Sequence, residues 1–175
     1  MDLMLRIIRI VVSPRDEWQR IAADGWHHAL IHIFALSLLP TFASFINVRN
    51  SDLPLPPNAV LVTYCASAFG VLTIAAAFWL LARMFAPGAT LERCVQVAAF
   101  GTTPLFVASA LLVMPVLAIV CVISLLHVFY LYYLGARELL GVPDEDAAQF
   151  VAIALVLAIV ASTLGGGAVG ALGLL

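Results

Sequence analysis

Long apolar runs separated by short polar breaks make up the chain from residue 29 onward. A helix needs about 20 consecutive apolar residues to cross the core of a bilayer. Proline cannot continue the backbone hydrogen-bond ladder, so Met114–Pro115 is the predicted break between the third and fourth runs, and Pro40 is expected to kink the first. The pattern predicts an all-α, polytopic membrane protein with five transmembrane helices, at about residues 29–46, 59–81, 94–113, 115–134 and 150–174.

The first 28 residues are predicted to form a short amphipathic segment before the first span. Residues 3–12 carry apolar side chains at helical spacing, with two arginines elsewhere on the wheel. Such a helix is typical of a membrane surface, with the arginines toward anionic headgroups. A second helix is predicted within residues 13–25, where Trp18 and Ile21 share one face. This helix either packs on the protein's own membrane domain or docks a partner through Trp18.

Charge is scarce and unevenly distributed. The chain is 64% hydrophobic and 10% charged, whereas soluble domains carry roughly 25% charged residues. All eight basic residues are arginine and they form no basic cluster, which argues against nucleic acid as a partner. With five spans, seven arginines fall on the side of the N-terminus and only Arg49 on the other. The positive-inside rule therefore predicts a cytoplasmic N-terminus and a C-terminus on the opposite side.

An acidic triplet, Asp144 to Asp146, lies between the fourth and fifth spans. Gly141 and Pro143 precede it and are residues that end helices. Carboxylates are favourable at the electropositive N-terminus of a helix. The triplet is therefore expected to begin a helix rather than to bind a metal ion.

The pattern gives little support to catalytic chemistry. No Asp, Glu or Arg falls inside a predicted span, and neither a GxSxG motif nor a phosphate-binding loop occurs. No enzymatic activity, cofactor or metal is expected. His28 and His32 share a helix face, and His127 is predicted at a similar depth. These histidines either bind a zinc-like ion together or bond singly to backbone or water, and the second reading is favoured.

Several residues are candidates for an interaction surface or a path. Gly166 and Gly170 form a GxxxG pattern, which lets helices approach closely, either within one bundle or between two copies. In the third and fourth spans, Gln96, Pro104 and His127 are polar or helix-breaking. They predict either a substrate path like those of broken-helix transporters or, at Pro104, a simple kink.

Three segments in this order resemble the bacterial branch of the Yip1-domain family: SPRDEWQRIA, AAFGTTPLF and YLYYLGARELLGVPDEDAA. The resemblance implies a five-span bundle with a cytoplasmic N-terminus. Eukaryotic relatives act in vesicle traffic, bind Rab GTPases and form complexes with one another. They carry a longer N-terminal region with a DLYGP-type motif, which this sequence does not contain, so a Rab-like role is not expected. The matching residues are Pro14, Trp18, Ile21, Pro104, Tyr130, Leu131, Gly135, Val142 and Ala147.

The sequence predicts a non-enzymatic protein of the bacterial inner membrane that associates with other membrane proteins or with lipid. Its expected partners are the bilayer and either a second copy or another membrane protein. The alternative is a small transporter, channel or lipid-moving protein with a path near Gln96, Pro104 and His127.

Overall fold

Helices make up the fold. The computed structural model describes residues 3–50, 58–114 and 117–171, and side-chain surroundings only as far as residue 165. The elements are α1 Leu3–Val12, α2 Pro14–Ala23, α3 Trp26–Leu36, α4 Leu38–Asn50, α5 Ala59–Phe85, α6 Leu91–Gly101, α7 Thr103–Ser109, a 3₁₀ turn Ala110–Val113, α8 Ala118–Gly135, a π turn Ala136–Leu140 and α9 Asp144–Ala171.

Five helical stretches are long and apolar enough to cross a membrane. We call them the first to fifth spans: Trp26–Asn50, Ala59–Phe85, Leu91–Val113, Ala118–Leu140 and Asp144–Gly165. The predicted all-α, five-span architecture is therefore confirmed, with α1 and α2 preceding the spans as short helices.

Polar capping residues extend the spans beyond their predicted ends. The third span begins at Leu91 rather than at residue 94, because the Thr90 side chain accepts a hydrogen bond from the backbone N–H of Arg93 at 3.3 Å and so caps the helix. The fifth span begins at Asp144 rather than at residue 150, with its three carboxylates in the first turn. The acidic triplet therefore begins a helix, as predicted.

The first span also extends past its predicted end, since α4 continues to Asn50. Residues 47–50, which the predicted span boundaries place between the first and second spans, are thus helical, and residues 51–57 lie outside the described part of the chain. The predicted break at Met114–Pro115 agrees with a helical stretch that ends at Val113 and another that begins at Ala118. Residues 115 and 116 themselves are not among those described.

Pro40 and Pro104 lie within spans, and each span is interrupted slightly before its proline. The first span breaks at Ser37, between α3 and α4, and the third at Thr102, between α6 and α7. A proline removes one backbone N–H, and its ring presses on the carbonyl of the residue four positions earlier. Breaks at Ser37 and Thr102 therefore follow from Pro40 and Pro104, and the predicted kinks are confirmed.

The turn between the fourth and fifth spans depends on Gly141. Its φ is 76°, a left-handed conformation that side chains with a Cβ rarely adopt. The Val142 N–H reaches back to the Ala136 carbonyl at 3.1 Å across this turn. Arg137 then pairs with Asp144, with Nη2 donating to Oδ2 at 2.7 Å. We call this end of the bundle, formed by α2, residues 83–93 and residues 137–144, the arginine-rich end.

The third span is the centre of the bundle. It is 72% buried, whereas the other four spans are 28–39% buried. Phe78 of the second span packs edge-on against Tyr132 of the fourth, with 5.2 Å between ring centroids, and stacks on Phe150 of the fifth at 5.5 Å. The third span therefore contacts protein on most of its surface, while its neighbours present one face to lipid.

A buried ion cluster and a lateral cleft

The N-terminal helices pack inside the bundle and bring an ion cluster with them. Arg6 is only 6% exposed, and its Nη2 donates to Asp24 Oδ2. Its Nε lies 3.5 Å from Glu17 Oε1, and Glu17 is 1% exposed. Arg20 Nη1 lies 3.8 Å from Glu17 Oε2 on the outer side. Two arginines therefore balance two carboxylates in a largely buried network.

This cluster corrects the prediction for α1, which placed both arginines toward lipid headgroups. Arg6 instead points inward, with its Cζ 5.2 Å from the centroid of the Phe100 ring. A buried guanidinium is stable only where anions and hydrogen-bond acceptors compensate for lost water. Glu17 and Asp24 of the following segment supply that compensation, and the aromatic face adds a cation–π contact.

Trp18 holds α2 against the membrane domain. Its side chain is fully buried, as is that of Ile21. A Cβ built at Gly135 would lie 3.1 Å from Trp18 Cζ2 and 2.9 Å from Val97 Cγ1, so the indole fits closely against a glycine of the fourth span. Of the two predicted roles for α2, packing on the protein's own membrane domain is the one that the structure shows.

Gln96 fastens the end of α2 to the third span. Its Nε2 donates to the Ile21 carbonyl at 3.1 Å and to the Asp24 carbonyl at 2.8 Å. These carbonyls belong to the C-terminal end of α2, where a helix leaves acceptors without partners. Gln96, predicted as a path residue, therefore anchors the N-terminal helices.

A line of polar contacts continues along the third span beyond the cluster. His32 Nε2 lies 2.8 Å from Thr103 Oγ1, and the His32 ring packs against Phe100 at a 45° tilt, with 4.5 Å between the ring centroids. Thr102 Oγ1 lies 2.6 Å from the Tyr132 hydroxyl and donates to the Ala98 carbonyl at 2.7 Å. The kink near Pro104 thus places two neighbouring threonine hydroxyls against different spans.

The three predicted histidines do not share one environment. His28 is exposed, whereas His32 is 1% exposed. His127 is half-buried, and its nearest ring contact is Tyr130 at 6.0 Å. Within residues 3–50, 58–114 and 117–165, no group of three or more His, Cys, Asp or Glu side chains could hold a metal ion. In this part of the chain, the structure does not bring the three histidines together, which was the less favoured alternative.

A lateral cleft lies between the second, third and fifth spans. Its volume is about 360 Å³. The hydroxyls of Ser67, Thr102 and Thr163 each donate to a carbonyl one turn earlier in their own helices, at 2.7–2.9 Å. With those three hydroxyls engaged, most of the lining is apolar. The lining residues are Ala66, Ser67, Gly70, Val71, Ile74, Thr102, Leu105, Phe106, Leu155, Ala158, Ile159, Ser162 and Thr163.

The predicted path residues do not line this cleft. Gln96 bonds to α2, Pro104 is buried at the helix break, and His127 lies on the fourth span, which contributes no lining residue. Gly166 and Gly170 belong to α9, but their packing lies outside the described residues. The cleft was not predicted from the sequence, although Ala66 and Gly70 have the small-xxx-small spacing that permits close helix approach.

The architecture defines an α-helical, multi-pass membrane protein with five candidate spans. The sequence model of the Yip1 domain matches residues 8–165, so the chain belongs to the Yip1 domain family. It is also similar to the inner membrane protein YohC of Escherichia coli K12, with 22% identity over 148 residues and coverage of 76% of each chain. YohC of E. coli O6:H1 matches to the same extent.

No solved structure matches the chain significantly. The resemblance to the Yip1 family is confirmed. Together with the apolar spans, the relatives support a multi-pass inner membrane protein.

Proposed function

We propose that this protein is not an enzyme and acts by lateral association inside the membrane, with lipid or with another membrane protein held in the cleft. The observation that carries the proposal is the cleft itself, because a concave apolar surface among spans is suited to a hydrocarbon chain or an apolar helix face. Its volume of about 360 Å³ is within the range of ligand sites.

The depth of the cleft supports this assignment. Gly70 lies near the middle of the second span, Thr102 near the middle of the third and Ala158 near the middle of α9. A polar solute would have little to bind there, since the hydroxyls of Ser67, Thr102 and Thr163 already donate to backbone carbonyls. The expected occupant is therefore apolar.

The proposal includes an orientation. Seven of the eight arginines belong to the N-terminal helices or to the arginine-rich end. Arginine is retained on the cytoplasmic side of inner-membrane proteins. We therefore place the N-terminus in the cytoplasm and the C-terminus on the opposite side, and a labelling experiment with an impermeant reagent on either terminus would test this placement.

Filling the cleft tests the proposal. A Cβ added at Gly70 meets no atom within 4 Å, so Gly70→Leu is expected to project into the cleft without a backbone clash. Native mass spectrometry of the protein, extracted gently from its own membrane, is expected to show a bound lipid or protein on the wild type and its loss from Gly70→Leu. The mass of the bound species distinguishes lipid from protein.

The matched control is Ala76→Leu. Ala76 lies on the same helix, is exposed and does not line the cleft. This variant is expected to keep the bound species of the wild type. If Gly70→Leu keeps the same species in the same proportion, association does not occur in the cleft and the proposal is wrong.

A further inference from the structure

The charged side of α1 faces the protein and its apolar side faces outward, which is the reverse of a helix at the water boundary. Its outward residues Leu5, Ile8 and Val12 are apolar and 46%, 57% and 73% exposed. Its inward residues are Ile10, which is fully buried, and Arg6. In a helix at the water boundary, arginine would face water and the apolar residues would face the protein or lipid. The outward face of α1 is therefore suited to contact with the hydrocarbon chains of lipids.

The depth of α1 supports the same conclusion. α1 contacts α7, which begins at Thr103. Arg93 is the last charged residue before the apolar part of the third span. At 1.5 Å per residue, Thr103 lies about 15 Å beyond Arg93, close to the centre of a hydrocarbon core of roughly 30 Å. The part of α1 that contacts α7 is thus expected to lie inside the membrane.

The helix that α1 contacts, α7, also carries an exposed apolar side chain, because Val107 is 39% exposed. α1 and α7 therefore present exposed apolar side chains to the same surroundings. Arg9, in the last turn of α1, is half-buried, and its long side chain can extend toward the headgroup layer.

We propose that α1 is a re-entrant helix whose outward face, Leu5, Ile8 and Val12, contacts the acyl chains of the leaflet at the arginine-rich end. The ion cluster makes this possible. Arg6 is on the inner side of α1 and only 6% exposed, where an uncompensated charge is costly, and Glu17 and Asp24 compensate it. α1 thereby adds a sixth apolar element to one leaflet without crossing the bilayer.

Site-specific photo-crosslinking tests this contact in the complete chain. Ile8 is replaced by the photoreactive residue p-benzoylphenylalanine, and the purified protein is reconstituted in vesicles of phosphatidylethanolamine and phosphatidylglycerol. After irradiation, intact-mass measurement is expected to show the mass increase of one phospholipid. Positions 5 and 12 are expected to behave in the same way.

The control position is Gln19, which is exposed on α2 at the arginine-rich end. Replacement there is expected to give little lipid adduct, because water and headgroups surround that face. A dimer cross-linked through position 8 would show that a second copy covers α1, and the absence of any adduct at positions 5, 8 and 12 would show that the face is in water. Either result overturns the proposal. The cleft variants are unaffected by this outcome, because the cleft involves other helices.

Discussion

Arg6→Met is expected to lower the free energy of unfolding by about 3–5 kcal/mol, the loss found when one partner of a buried ion pair is removed. The methionine keeps most of the side-chain volume. It removes the buried cation that pairs with both Glu17, which is 1% exposed, and Asp24. Arg20 cannot replace Arg6, because its side chain is 54% exposed and lies 3.8 Å from Glu17 at the outer edge. Titration of the folded fraction with SDS in mixed micelles measures the change.

Two further variants separate the charge effect from other causes. Arg15→Met removes an exposed arginine from the neighbouring helix and is expected to change the free energy of unfolding by less than about 0.5 kcal/mol. The triple variant Arg6→Met, Glu17→Gln, Asp24→Asn removes the unpaired anions together with the cation and is expected to recover most of the loss. If Arg6→Met is as stable as Arg15→Met, the buried cluster contributes nothing to the fold.

The spans were predictable because their signal is local. About twenty apolar residues in succession have few stable arrangements other than a membrane helix, and the proline breaks near Ser37 and Thr102 follow from proline's missing N–H. The helices begin at Leu91 and Asp144, several residues before the predicted starts of the apolar spans. The charged residues at both places were placed outside the spans, whereas Thr90 and the acidic triplet begin helices that continue into them without a break.

The ion cluster was not predictable in the same way. Arg6 and Asp24 are 18 residues apart, and no local spacing indicates that α1 and α2 fold back on each other. The arginines of α1 were assigned to headgroups because a surface helix is the common setting for such a pattern. The third span determines how the two N-terminal helices are oriented. The Phe100 ring contacts the Arg6 guanidinium of α1, and the Gln96 amide donates to a carbonyl at the end of α2.

The cleft also depends on tertiary packing, since three spans that are distant in sequence have to meet for it to exist. Small residues were recognised as contact signals only at Gly166 and Gly170. The same signal at Ala66 and Gly70 marks a place where the second span leaves a gap instead of closing against a neighbour. Small residues therefore predict that helices can approach, whereas only the structure shows where they leave space.

The third span connects the cluster with the cleft. Gln96 and Phe100, in one part of this span, contact the N-terminal helices. Thr102, in the next turn, lines the cleft and bonds to Tyr132. Gly101 lies between these two parts, so its packing decides whether they keep their relative positions.

Gly101→Ala is expected to destabilise the fold by about 1–3 kcal/mol, the usual cost of overpacking a core. The new Cβ would lie 2.3 Å from Tyr132 Cδ1 and 2.4 Å from Cε1, so the ring has to move. The Tyr132 ring packs against Phe78 and its hydroxyl bonds to Thr102, so moving the ring disturbs both contacts.

Gly70→Ala is the matched control, because it adds a Cβ that meets no atom within 4 Å. Alanine stabilises a helix by about 1 kcal/mol over glycine, so this control is expected to be neutral or more stable. Equal unfolding free energies for the two variants would show that the Gly101–Tyr132 contact does not constrain the third span.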